Sequence, residues 1–238
     1  MMWAVRFALL SALLCCNGLH NAIAQAELSS ASSLQLSDEE QAIVRRIEQA
    51  YTKQAAMRVT AWRQLLKASR QQEELEQLKL VNDFFNQLKF LDDIEIWGRE
   101  DYWATPLEFL GAGGGDCEEF SIAKYLSLRE LGVDDKKLRL IYVKALTLNQ
   151  FHMVLAYYPT PSAVPLLLDN LTADILQASQ RPDLQPIYSF NGSKLWLMKQ
   201  QGQGQLVGDA SRIKHWQSLQ QRVLHQQFAK PTRWLDKE

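Results

Sequence analysis

Five small residues, Gly111-Ala112-Gly113-Gly114-Gly115, stand directly before Asp116-Cys117-Glu118, and the run after them is apolar at Phe120, Ile122, Ala123, Leu126, Leu128 and Leu131 until Gly132. A glycine-rich turn feeding an apolar helix that a glycine terminates predicts a central, buried helix with a cysteine in its first turn. That turn presents backbone N–H groups without intrahelical partners and a partial positive charge, which favour thiolate over thiol and can hold an oxyanion. Cys117 is therefore expected to be a nucleophile with a lowered pKa.

Residues 1–26 place this cysteine in context. They carry one arginine, the apolar run Phe7–Cys16 and small residues at Ala22, Ala24 and Ala26, the pattern of a secretory signal peptide. The run is too short to span a bilayer, and no later segment reaches the roughly 20 apolar residues a spanning helix needs. An exported, non-membrane-spanning protein is expected. Cleavage after Ala24 or Ala26 removes Cys15 and Cys16, leaving Cys117 as the one thiol in an oxidising compartment, where unpaired cysteines are uncommon. The alternative is an inert, buried cysteine that serves as a small hydrophobe. With 238 residues, 47% of them hydrophobic and 22% charged, the chain can bury a core as one domain or two packed lobes. A net charge of −1 offers no basic surface for nucleic acid.

The polar, serine-rich stretch 27–36 suits a flexible mature N-terminus. Ser37 and Glu40 form a capping-box pattern, and Ile43, Val44, Ile47, Ala50 and Tyr51 then recur at helical spacing. Similar periodicity over 55–68 and 75–88, with no glycine or proline between 27 and 90, predicts a mainly helical lobe over 37–132. The segment 90–109 is aromatic and irregular; Trp97, Tyr102 and Trp103 suit either core or groove, with core favoured. Over 133–238 the composition turns β-branched and aromatic. Strands are expected at 138–145, 151–158, 164–168, 186–191 and 194–198, the first three as an antiparallel meander, and an amphipathic helix at 211–228. The fold class is α+β, a single catalytic domain over 37–238.

The mature chain keeps His152, His215 and His225. His152 stands near the start of the second strand of the meander and Asp169 at the end of the third, positions that antiparallel pairing can make neighbours. Taken singly, the histidine reads as a core residue and the aspartate as a turn. Together with Cys117 they supply a thiolate, an imidazole to keep it ionised and a carboxylate to fix the imidazole tautomer.

Four stretches now carry a resemblance: Asp101–Phe109, Gly114–Glu119, Asn149–His152 and Leu168–Asn170 are similar to the bacterial transglutaminase-like cysteine proteinases of the LapG type. The resemblance spans about residues 38–225. It implies a papain-like or transglutaminase-like fold, with Cys117, His152 and Asp169 as the triad of a periplasmic endopeptidase. Such an enzyme cuts the N-terminal region of a large surface adhesin at a paired-alanine site, releasing it and dispersing the biofilm. The resemblance also implies an inner-membrane cyclic-di-GMP receptor as a sequestering partner, and Ca2+ near the nucleophile on Asp116, Glu118 and Glu119, the last standing where the family usually has aspartate. Clustered carboxylates suit a hard cation, although acids at a helix start also complement its dipole.

Two other functions share these residues. A transglutaminase or acyltransferase uses the same triad with an amine in place of water, and a non-catalytic module would hold the adhesin or receptor without using Cys117.

Overall fold

The computed structural model describes residues 34–198, 204–233 and 235–236; the expected signal peptide, and residues 27–33 of the expected mature N-terminus, lie outside them. Helix α1 (Asp38–Ala50) begins as its capping box requires: the Ser37 N–H donates to the Glu40 carboxylate at 2.7 Å and the Ser37 Oγ accepts from the Glu40 N–H at 3.2 Å. Helices α2 (Lys53–Ser69) and α3 (Glu74–Phe85) follow. Their apolar spacing of three and four turns Ala55, Val59, Trp62 and Leu66, then Leu78, Val81 and Phe85, onto one core.

The next elements are short: β1 (Lys89–Phe90), α4 (Asp93–Trp97), α5 (Pro106–Ala112) and β2 (Gly114–Gly115), leading into α6 (Cys117–Leu131). Strands β1 and β2 pair in parallel and clamp the glycine turn to the chain leaving α3. Gly113 ends α5 at φ 83°, and a Cβ on Gly114 would stand 2.7 Å from the Lys89 carbonyl oxygen, so the pairing needs small residues here. Trp97, Tyr102 and Trp103 are all buried, as favoured from the sequence. Helix α6 is buried on nearly every face and closes on Gly132 in the left-handed conformation.

Seven strands make the main sheet: β3 (Leu138–Ala145), β4 (Gln150–Tyr157), β5 (Leu166–Leu168), β6 (Leu176–Gln177), β7 (Leu184–Phe190), β8 (Lys194–Leu197) and β9 (Gln205–Asp209). Their order is β6-β5-β4-β3-β7-β8-β9, antiparallel throughout. The expected meander is β3-β4-β5; β6 and β9 are additions at the two edges. Alternation along the strands divides the sheet. Leu138, Leu140, Met153, Leu155, Tyr157 and Phe190 join the helices in one core, while Ile141, Val143, Val154, Ala156, Leu167 and Leu184 form a second cluster on the outer face.

Helix α7 (Lys214–Leu224) is tied back to the nucleophile region through one buried carboxylate. Glu108 accepts the Thr105 N–H, the Tyr102 hydroxyl and the Ala229 N–H, each at 2.7 Å, and pairs with Arg222. Arg222 also donates to the Trp103 carbonyl oxygen at 2.5 Å. Removing one partner of such a pair strands the other charge, so Glu108→Ala is expected to lower unfolding free energy by roughly 3 kcal/mol. Urea denaturation checks it; a loss below about 1 kcal/mol would show that the pair contributes little.

Candidate active site

The nucleophile is fixed by its helix start. Asp116 caps α6, and Glu119 returns a carboxylate oxygen to the Asp116 N–H at 3.0 Å, completing a second capping box. Cys117 is the first helical residue and only 8% exposed. Strand β5 pairs with β4 only at Leu155–Tyr157, so the Met153 peptide has no strand partner on that side. Helix α6 supplies one: the Met153 N–H donates toward the Cys117 sulfur, and Ser121, one turn on, donates to the Met153 carbonyl oxygen at 2.9 Å. The thiol thereby rests against the residue that follows His152.

His152 and Asp169 are brought together as expected, with Nε2 2.7 Å from Oδ1. A carboxylate partner on Nε2 assigns the proton to that nitrogen and leaves Nδ1 free to accept one. Asp169 is held from several sides: Oδ1 also accepts the Leu171 N–H at 3.1 Å, Oδ2 accepts Nη1 of Arg181 at 2.7 Å, and its backbone carbonyl accepts from Asn86 at 2.9 Å and from Lys124 at 3.1 Å. Burial works to raise its pKa, yet the His152 hydrogen bond and charge, the Leu171 amide and Arg181 outweigh it and hold the group at about 2. Lys124 is fully buried, donates to Asn86 Oδ1 at 2.7 Å, and has its ammonium pushed down to about 7 by desolvation, which the Asp169 charge opposes.

The protein groups around Cys117 act against the expected lowering of the thiol pKa. Burial pushes the Cys117 thiol well up, reinforced by the charges of Glu118 and Asp116, and the thiol donates to Glu118 Oε2 at 2.8 Å. Desolvation and two adjacent carboxylates outweigh the helix dipole.

Those carboxylates fall into two groups. Oxygens of Asp93, Asp116 and Glu119 lie within 4.8 Å of one another, and a second set joins Asp116, Cys117 and Glu118 over the same span. Asp116 is shared, while Glu118 faces the thiol and Glu119 faces Asp93. Glu119 gives both oxygens to backbone amides, Ala104 at 2.7 Å and Asp116 at 3.0 Å. Asp93 accepts the Tyr102 N–H on Oδ2 at 2.5 Å, but its Oδ1 is buried without a partner. Burial and the Asp116 charge push Asp93 up to about 7; burial and the same charge push Glu118 and Glu119 well up. An oxygen-only set with mutual repulsion and an orphaned buried oxygen fits a hard divalent cation.

Asp93 escaped the sequence reading because it lies on α4, far from the cysteine; the Asp92-Asp93 pair opening the aromatic segment was its only signal. Arg181, Lys124 and Asn86 gave no signal, since each reads in the sequence as a solvent-facing polar side chain until the chain is folded. Two cavities among the described residues lie elsewhere. One of about 750 Å³ opens among α1, α2, α5 and α7 beside Trp62 and Arg63, and one of about 560 Å³ lies on the outer sheet face beside Val143 and Arg181.

In a cation-free buffer, the alkylation midpoint of Cys117 is expected above the pH of about 8.5 at which an ordinary thiol half-ionises, and Glu118→Gln is expected to lower it. A midpoint below that value in both proteins, read from iodoacetamide rates against pH, would contradict the assignment.

Comparison with known proteins adds a family and a fold. The family model of bacterial transglutaminase-like cysteine proteinases (BTLCP) matches residues 49–183. Among solved structures, Legionella pneumophila LapG is 42% identical, covers 77% of this chain and 97% of its own, and superposes with a TM-score of 0.68. Its EGTA-treated form gives 42% identity, the same coverages and a TM-score of 0.69. Its calcium-bound form is 43% identical over 76% of this chain and 97% of that one, with a TM-score of 0.66. Among curated proteins no match is found.

Proposed function

The chain belongs to the bacterial transglutaminase-like cysteine proteinases, and from that premise we propose a calcium-dependent endopeptidase with Cys117, His152 and Asp169 as its triad. The His152–Asp169 hydrogen bond at 2.7 Å supports this most directly, and it stands on the strand residue before Met153, whose N–H donates toward the Cys117 sulfur. Nδ1 of His152 takes the thiol proton, and the sulfur attacks the scissile carbonyl carbon. The tetrahedral intermediate places its oxyanion at the start of α6, where the Cys117 N–H has no intrahelical partner. An indole N–H from Trp97 or Trp103, both buried and unpartnered, would be the second donor, and Trp103 belongs to the same hydrophobic core as Cys117. Collapse breaks the C–N bond as the imidazolium protonates the leaving amine. Water, deprotonated by His152, then cleaves the thioester and returns the proton to sulfur.

Asp116, Glu118 and Glu119, the ligands the resemblance implies, would hold the calcium ion, and Asp93, whose carboxylate lies within 4.8 Å of those of Asp116 and Glu119, would join them. When bound, calcium offsets the carboxylate charges that oppose thiolate formation. Support comes from the orphaned oxygen of Asp93 and from the calcium-bound state of the Legionella relative. The substrate is the N-terminal region of a large surface adhesin, cut at a paired-alanine site to promote biofilm dispersal. The site of action is the periplasm, reached through the signal peptide. The periplasmic domain of an inner-membrane cyclic-di-GMP receptor restrains the enzyme. No helix among the described residues is long and apolar enough to cross a membrane.

The mature protein is expected to cleave an adhesin N-terminal fragment bearing paired alanines in calcium, with cleavage abolished by Cys117→Ala and by chelator. Cleavage that survives Cys117→Ala would exclude the triad, and incorporation of a labelled amine in place of hydrolysis would point to acyl transfer. Asp93→Asn is expected to weaken calcium binding at least tenfold by calorimetry and to shrink the rise in Tm that calcium gives the unmodified protein. Unchanged affinity would remove Asp93 from the ligand set.

A further inference from the structure

Asp169 can serve His152 only if one of its oxygens is reserved for Nε2. In a buried carboxylate with two open oxygens, rotation about χ2 would exchange them and the imidazole could follow. Here the exchange is blocked on the far side. Nη1 of Arg181 takes Oδ2 at 2.7 Å, leaving Oδ1 for His152 and the Leu171 N–H. The guanidinium is itself immobilised by Asp183, which accepts from Nε at 3.0 Å and from Nη2 at 2.9 Å. All three groups of this chain are fixed by the planar fork that arginine alone provides. The Arg181 side chain is 9% exposed and that of Asp169 fully buried.

The charges matter as much as the geometry. One guanidinium lies between two carboxylates, so Arg181 orients Asp169 while Asp183 offsets its positive charge. Asp169 thus keeps a negative charge for the imidazolium that forms when Cys117 ionises. Asn86 and Lys124 contact only the Asp169 backbone carbonyl; they place the residue, whereas Arg181 sets the plane of its carboxylate.

Resting on the triad reading above, we propose that Arg181, clamped by Asp183, is a positioning residue for the protease: it orients the Asp169 carboxylate and through it holds His152 as the Nε2-protonated tautomer. A group of this kind touches no reacting atom, and its loss is expected to lower kcat with little change in KM, by about 10- to 100-fold, as misplacement of a catalytic group does.

The test uses the full mature protein in calcium. Arg181→Met, Arg181→Lys and Asp183→Asn are compared with the unmodified protein for kcat and KM on the adhesin fragment, and for the His152 tautomer by ¹⁵N NMR. The unmodified protein is expected to show Nε2-protonated His152 alone. Arg181→Met is expected to populate the Nδ1-protonated form and lose at least tenfold in kcat, with KM within about twofold, while Arg181→Lys and Asp183→Asn fall between. An Arg181→Met protein that keeps a single Nε2 tautomer and kcat within about twofold overturns the proposal. If Arg181→Met fails to fold, Asp183→Asn decides by the same two readings, an unchanged tautomer and kcat overturning it. His152→Ala in the same assay separates the two claims: activity retained there sinks the triad, whereas activity lost there and kept in Arg181→Met sinks only the role of Arg181. The tautomer reading needs no turnover, so it stands even if the fragment is not cut.

Discussion

The site depends on one unfinished strand pairing. Because β5 has three residues and ends at Leu168, the Met153 peptide of β4 is left open, and the first two turns of α6 fill the gap through Cys117 and Ser121. A buried peptide without partners costs about as much as a lost hydrogen bond, so helix and strand are locked in one register. That register brings the helix start, with its thiol and free N–H groups, to the strand that carries His152. Where β5 stops, the chain turns at Asp169, which places the carboxylate on the histidine. The same truncation therefore makes room for the nucleophile and positions its partners.

Electrostatically the site is built on groups that would be costly alone. Lys124 is buried with its side-chain nitrogen on the Asn86 amide oxygen and the Asp169 backbone carbonyl, and burial disfavours its charged form. Asp93, Asp116, Glu118 and Glu119 cluster at the start of α6 beside the nucleophile. Burial of unpaired charges shifts pKa values rather than leaving bare ions, which is the direction seen for Asp93, Glu118 and Glu119. A cation resolves this strain, and the protease reading requires one for the same reason: an unrelieved carboxylate beside Cys117 opposes the thiolate that chemistry needs.

Much of this was legible in the sequence where the physics is local. The capping box at Ser37, the helix start at Cys117, the three- and four-residue spacing of α2 and α3, the glycine stop at Gly132 and the β-branched strands of the meander each depend on near neighbours. His152 and Asp169 were legible because they sit at strand ends, where topology makes them adjacent. Strands β1 and β2 were not, since Gly114-Gly115 has no strand preference and pairs only because the loop must pass close to Lys89. The direction of the Cys117 shift was misjudged for a related reason: helix position is read from sequence, whereas desolvation and the reach of Glu118 to the sulfur arise in three dimensions.

In the proposed mechanism the Cys117 sulfur becomes acylated with His152 as its base. Rapid acid quench of the calcium-loaded protein with substrate, followed by peptide mass spectrometry, tests it most directly. A thioester carrying the N-terminal product is expected on the peptide containing Cys117 and is expected to be absent from His152→Ala. Cleavage that proceeds at full rate with no such adduct, or an adduct on another residue, would contradict it.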